Sequence, residues 1–265
     1  MSEWLFHLPV VWMTLVFLAA TYLITGAIHA LIMALAAGDR LRTFKGISPG
    51  LLPPLGILYA LLVAFLASQV WADQQRAHEA VDREASALRT IVLLSASFQE
   101  PIGQQLRALV RRQIQEAATV EWPAMANQSV GLERPPAALV EALNLALAQT
   151  PQHEGQATAQ RETVRALEEA LDARRQRIII SRLTINWVKW SGVILEAILT
   201  LLAVGMVHSD NRSTAGVAMG IFATAAAVAA LMVASHARPF TGEVSVGADV
   251  LLQVMPEADS SINSR

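Results

Sequence analysis
Glu196 stands alone as a charge in WSGVILEAILTLLAVG, residues 190–205. A carboxylate at the centre of a membrane-spanning helix costs roughly 2.5–3.5 kcal/mol on insertion scales, so it must face water, meet a partner or take up a proton. A ring of such acids in an oligomer would favour cations and repel anions. The structural alternative is a polar clamp with Thr25 or His29 of an earlier apolar run. His29 is the imidazole inside that run, and a Glu196–His29 pair would form an element of a proton relay. A second group lies in LLPPLGILYALLVAFLASQVWAD, residues 51–73. There Leu58, Leu62, Phe65 and Gln69 recur at i, i+4, i+7 and i+11 and share a helical face. Around a symmetry axis such an apolar row could gate a pore by dewetting, with Gln69 and Asp73 at its mouth. In the alternative, the row faces lipid. Gly56, Ala60, Ala64 and Ala67 make a separate small-residue stripe suited to helix packing.

Other chemistry is poorly supplied. His78 and Asp82 share a face at i and i+4, but a third ligand is lacking, and a charged helix face is ordinarily just solvated. No metal site is expected. No Ser-His-Asp pattern, glycine-rich phosphate loop or nucleotide fingerprint occurs, so neither an enzyme nor a cofactor is expected. The absence of cysteine excludes disulfides and thiolate ligands. A net charge of −2 offers nucleic acid no attraction.

The elements that position these residues follow from the distribution of charge. Hydrophobic residues make up 54% of the 265-residue chain and charged ones 16%, against about 25% charged in a soluble domain. The charges collect in the middle of the chain, as in an integral membrane protein. Four apolar spans are expected: Val10–Ala37, the 51–73 stretch, Asn186–Val207 and Ala215–Ala237. Trp187, Lys189 and Trp190 would anchor the third at the interface. Gly216, Gly220, Thr224 and Ala227 give the fourth a small-residue face. Between spans two and three, residues 72–186 carry helical periodicity, with a break at Gln99-Glu100-Pro101, a loop over 126–136 and long amphipathic stretches after it.

The chain therefore reads as an all-α membrane protein: four transmembrane helices with a helical cytoplasmic insert between spans two and three. Its parts are residues 1–71, 72–186, 187–237 and a peripheral tail over 238–265. Four spans put both termini and the insert on one side. That side holds all the basic residues except Arg40, Arg42, Lys45 and Arg212, so the positive-inside rule places it in the cytoplasm. Arginine supplies every basic residue but Lys45 and Lys189, which with the abundant alanine goes with a GC-rich bacterial genome, and the expected location is a bacterial inner membrane.

Three segments carry a resemblance. They are GILYALLVAFLASQVWADQQRAHEAVDREASALRTI (Gly56 to Ile91), EWPAM (Glu121 to Met125) and HARPFTGEVSV (His236 to Val246). Together they resemble the bacterial bestrophin-like domain family, a family of unknown function, from about residue 50 onward. True bestrophins, pentameric anion channels, are more distant, and no bestrophin calcium-binding cluster is recognisable. The resemblance implies the four-span architecture and a pore lined by the second span. The expected function is an oligomeric ion channel of four or five copies, in contact with membrane lipid and inorganic ions. Glu196 and Asp73 weigh its selectivity toward cations, whereas the bestrophin link points to anions. The alternative is a non-conducting signalling or scaffold protein whose spans follow movements of the insert.

Overall fold
Backbone amides have no water to bond in hydrocarbon, so an apolar span must satisfy them within itself, as a helix. The computed structural model describes residues 3–36, 44, 47–133 and 135–257, and its regular elements are all helical. Arg40, Arg42 and Lys45 of the first expected loop lie outside the described residues, as does the tail from 258 onward. Four helices are long and apolar enough to cross a membrane. These are α1 (Val10–Leu35), α2 (Leu52–Leu94), α7 (Trp187–Val207) and α8 (Arg212–Ser235). Between them come α3 (Ile102–Glu116), α4 (Trp122–Ala126), α5 (Ala137–Leu147) and α6 (Glu154–Ser181), and α9 (Asp249–Gln253) follows α8.

Local sequence sets the ends of these helices. Ser48 accepts from the Gly50 amide and Pro49 follows it, a start signal for the turn that leads into α2. Asn186 caps α7 through the Val188 amide. Asn211 caps α8 through the amides of Ser213 and Thr214. Between α3 and α4 the backbone widens into a π turn over Ala117–Glu121. Pro123 supplies the cause, since its ring collides with the carbonyl four residues earlier and it has no N–H to donate.

The chain forms two compact units. The first contains residues 1–72, 184–238 and 242–244. In it Met13, Tyr59, Leu66, Val70, Trp190 and Val193 share one apolar cluster, and Ile28, Ile32, Leu201 and Met219 share another. Trp187 is exposed as an interfacial anchor should be, but Trp190 is buried. The second unit contains residues 73–183, 239–241 and 245–265. Leu88, Ile91, Leu106, Ile114, Leu139 and Leu167 lie at its core. The tail departs from the peripheral position expected of it: Phe240, Val246 and Leu251 are buried in this core. Its mixed composition concealed three large apolar side chains spaced to reach inward.

At 43 residues, α2 is the longest helix, about 64 Å at 1.5 Å per residue and twice a hydrocarbon core of about 30 Å. It runs unbroken from the apolar stretch into the charged one. Its buried positions are Tyr59, Leu66 and Val70 in the first unit and Ala77, Ala80, Val81, Glu84, Ala85, Ala87, Leu88 and Ile91 in the second, with Val63 and Asp73 half-buried. Tyr59, Val63, Leu66 and Val70 form a seam at steps of four and three, a period that keeps one helix face against its neighbours, and Val81, Ala85 and Leu88 widen the buried face further along the helix.

Candidate functional site
Each functional candidate on α2 is placed by that seam. Leu58, Leu62 and Phe65 lie beside it and are 50%, 37% and 65% exposed, while Tyr59, Leu66 and Val70 are 8%, 6% and 2% exposed. The packing face is therefore not the stripe of Gly56, Ala60, Ala64 and Ala67, of which Ala60 and Ala64 are exposed. Larger side chains win that position because they bury more surface. Tyr59 also donates its hydroxyl to the Ala226 carbonyl at 3.5 Å and sets its ring 5.4 Å from that of Phe222. At the end of the row, the amide oxygen of Gln69 accepts from the Lys189 ammonium. Asp73, one turn on, forms an ion pair with Arg76.

Glu196 is half-buried in α7, and its Oε1 is buried without a hydrogen-bond partner. No bond joins it to Thr25, whose hydroxyl donates to the Thr21 carbonyl, or to His29, whose Nδ1 is buried without a partner. Depth explains the missing Glu196–His29 pair. A Cβ on Gly205 would press on Ile32 and Met219, so these three residues lie at one level. Glu196 is about 13 Å along α7 from Gly205, whereas His29 is only about 4.5 Å along α1 from Ile32. His29 instead packs against Gly216, where a Cβ would stand 3.8 Å from its ring.

The second unit contains a buried charge cluster that the sequence reading missed. Arg177 and Glu84 are fully buried. Arg177 donates from Nε to Glu84 Oε2 at 2.7 Å, and from Nη2 to Glu84 Oε1 at 3.1 Å and to Glu121 Oε2 at 2.8 Å. Its Nη1 reaches the Met125 sulfur at 3.4 Å, and its guanidinium lies 4.4 Å from the centre of the Trp122 ring. Arg174 donates to Glu121 Oε1 from Nε at 2.7 Å and holds it as an ion pair at 2.6 Å. The two positive and two negative charges cancel, which a dry site requires. Burial pushes the Glu121 carboxyl upward, but Arg177 and Arg174 outweigh it and hold that carboxyl below the ordinary range. Burial likewise opposes the charge on Arg177, and Glu84 and Glu121 more than restore it.

Parts of all three segments quoted above meet around this guanidinium. Glu84 comes from the first and Glu121, Trp122 and Met125 from the second. From the third, the Val246 carbonyl accepts from Trp122 Nε1 at 2.9 Å, and Thr241 donates to the Ala126 carbonyl at 2.9 Å. One signal was available in advance. Arg177 falls in register with Ala166, Ala170 and Ala173 on the apolar side of α6, and Glu84 falls on the apolar seam of α2. Among the described residues no group of three or more His, Asp or Glu side chains could hold a metal.

The comparisons agree with this architecture. No curated protein matches the chain by sequence. A solved structure described as a membrane protein superposes with a TM-score of 0.69 at 11% identity, covering 92% of this chain and 99% of its own. Two single-substitution variants of a bacterial bestrophin homolog from Klebsiella pneumoniae superpose with TM-scores of 0.67 and 0.66, each at 12% identity. They cover 94% and 91% of this chain and 96% of their own. At such identities the likeness is one of fold. The family model for the bestrophin-like domain matches residues 9–251, and the chain is accordingly a membrane protein of the bestrophin-like domain family.

Proposed function
We propose that this protein is an oligomeric ion channel of a bacterial inner membrane, built from four or five copies, with its pore lined by the membrane half of α2. The termini and the helical insert lie in the cytoplasm. One observation carries this reading: α2 buries the Tyr59–Leu66–Val70 face within its own chain and leaves Leu58, Leu62 and Phe65 exposed beside it. Family membership and the likeness to bestrophin homologs support it. One such helix from each copy would surround an axis with an apolar ring narrow enough to gate by dewetting. A cation preference rests on Glu196, because Asp73 is paired with Arg76 and Gln69 bears the Lys189 ammonium.

Purified protein in liposomes tests the proposal. Ion flux is expected, with Phe65→Ala raising conductance and Glu196→Gln moving the reversal potential toward anions. Silence across several ions and voltages would instead favour a non-conducting scaffold. The unbroken run of α2 from Leu52 to Leu94 supports that second reading, since one helix carries both the second span and the start of the insert.

A further inference from the structure
A threonine inside an apolar helix ordinarily returns its hydroxyl to the carbonyl four residues back. Thr14, Thr25 and Thr224 do so, at 2.7, 2.8 and 2.8 Å. Thr200 of α7 does not. It is 2% exposed, and its hydroxyl is buried without a hydrogen-bond partner. Four residues earlier, on the same face of α7, Glu196 Oε1 is also buried without a partner. Two oxygens therefore stand on adjacent turns, about 6 Å apart along the axis, both removed from water and not bonded to each other. An unpaired hydroxyl in such a place costs its full desolvation, and an unpaired carboxylate costs far more. One guest that carries positive charge and takes oxygen ligands removes both costs. Water would bond the two oxygens but leave the charge uncompensated in the span. A divalent ion carries one charge too many and calls for about six or more oxygens; among the described residues no group of three or more His, Asp or Glu side chains could hold one. A monovalent alkali ion matches the single carboxylate.

The packing of the first unit places this pair beside α2. Val70 shares an apolar cluster with Trp190 and Val193. Tyr59 meets Phe222, which also packs against the cluster of Leu201 and Met219. The membrane half of α2 and α7 therefore run in opposite directions. They touch where the Lys189 ammonium donates to the Gln69 amide oxygen. Seven residues from that contact, about 10.5 Å along each helix and on the same faces, come Glu196 on α7 and Leu62 on α2. We propose that Glu196 and Thr200 hold a partly dehydrated alkali cation on the face of α7 that adjoins the Leu62 level of α2. The consequence, a resting point for the ion beside the pore row, rests on the channel reading; the binding itself does not.

Binding is measured on the purified protein in detergent, with radioactive sodium and, separately, rubidium as probes in an N-methylglucamine background, at about pH 8, where carboxylates are ordinarily ionised. The parent is expected to bind one of these ions saturably, at about one ion per chain to match the single carboxylate. Glu196→Gln is expected to abolish binding. Thr200→Val, close in volume, is expected to weaken it about tenfold or more, and Thr200→Ser, which keeps the oxygen, to restore most of that loss. Thr25→Val is expected to bind as the parent does, because the Thr25 hydroxyl is already committed to the Thr21 carbonyl. A folded parent that binds neither ion overturns the proposal, and a proton or water then serves the carboxyl. Binding that survives Glu196→Gln, or equal weakening in Thr200→Val and Thr25→Val, overturns it as well. Should Glu196→Gln not fold, the contrast between Thr200→Val and Thr200→Ser decides. Flux in liposomes is scored separately. Binding without flux removes the channel reading and keeps the site; flux without binding keeps the channel and removes the site.

Discussion

At the scale of single residues, the buried charges behave differently from the exposed ones. Arg177→Met by itself strands Glu84 in a dry site, and the expected cost is roughly 3–5 kcal/mol, most of which Glu84→Leu restores in the pair. Denaturant unfolding of the solubilised protein, followed as a double-mutant cycle, checks this, and additive losses would contradict it. Glu121 couples the cluster to pH. Its folded carboxyl is held below the reference value of 4.5. The stability it contributes is therefore present in full above that value and is lost as pH falls through the depressed one. The unfolding midpoint is expected to be insensitive to this group near neutral pH and to drop in the acid range. Arg174→Met removes one of the two depressing charges and should bring the drop on at higher pH; an unmoved onset would contradict the assigned cause. Glu196 has one buried oxygen without a hydrogen-bond partner among the described residues.

At the scale of elements, close approach in the spans depends on where side chains are missing. A Cβ on Gly205 would press on Ile32 and come within 3.0 Å of the Met219 sulfur. Gly205→Leu is thus expected to overpack the junction of α1, α7 and α8 and cost about 1–3 kcal/mol or more. On the same helix a Cβ on Gly192 meets nothing within 4 Å. Gly192→Ala should be neutral or stabilise by about 0.5–1 kcal/mol, through helix propensity alone. Thermal stability of the two variants in detergent separates the cases, and equal losses would contradict this packing. Periodicity revealed α2 as a helix continuing past its apolar stretch. Which of its faces packs was not legible, because Tyr59 and the alanine stripe compete for the same role until their neighbours are known.

At the scale of the whole molecule, four spans in one copy are too few to surround a wide axial path. A conducting assembly therefore requires several copies, and four or five would each contribute one α2 to the ring. Mass measurement of the solubilised protein is expected to give a closed assembly of that size; a strict monomer would remove the axial pore. The parts legible from residues alone were those with strong local signals. Long apolar runs and the break at Gln99-Glu100-Pro101 marked the helices and most of their limits. The tail was misjudged because burial of Phe240, Val246 and Leu251 depends on surfaces supplied by distant segments.

The sequence by itself determined the helical spans, because a backbone in hydrocarbon has no other way to satisfy its amides. It also singled out Glu196, since an unpaired charge in an apolar run is visible without coordinates. Only the tertiary structure decided who meets whom. It separated Glu196 from His29 by depth, turned the Tyr59 face of α2 inward, and brought Glu84, Glu121 and Arg174 onto Arg177. Residues 84, 121 and 177 are far apart in the chain, and a place on an apolar helix face marks Glu84 and Arg177 for burial without naming the partner of either. The desolvation that makes their geometry exacting exists only once the helices have packed.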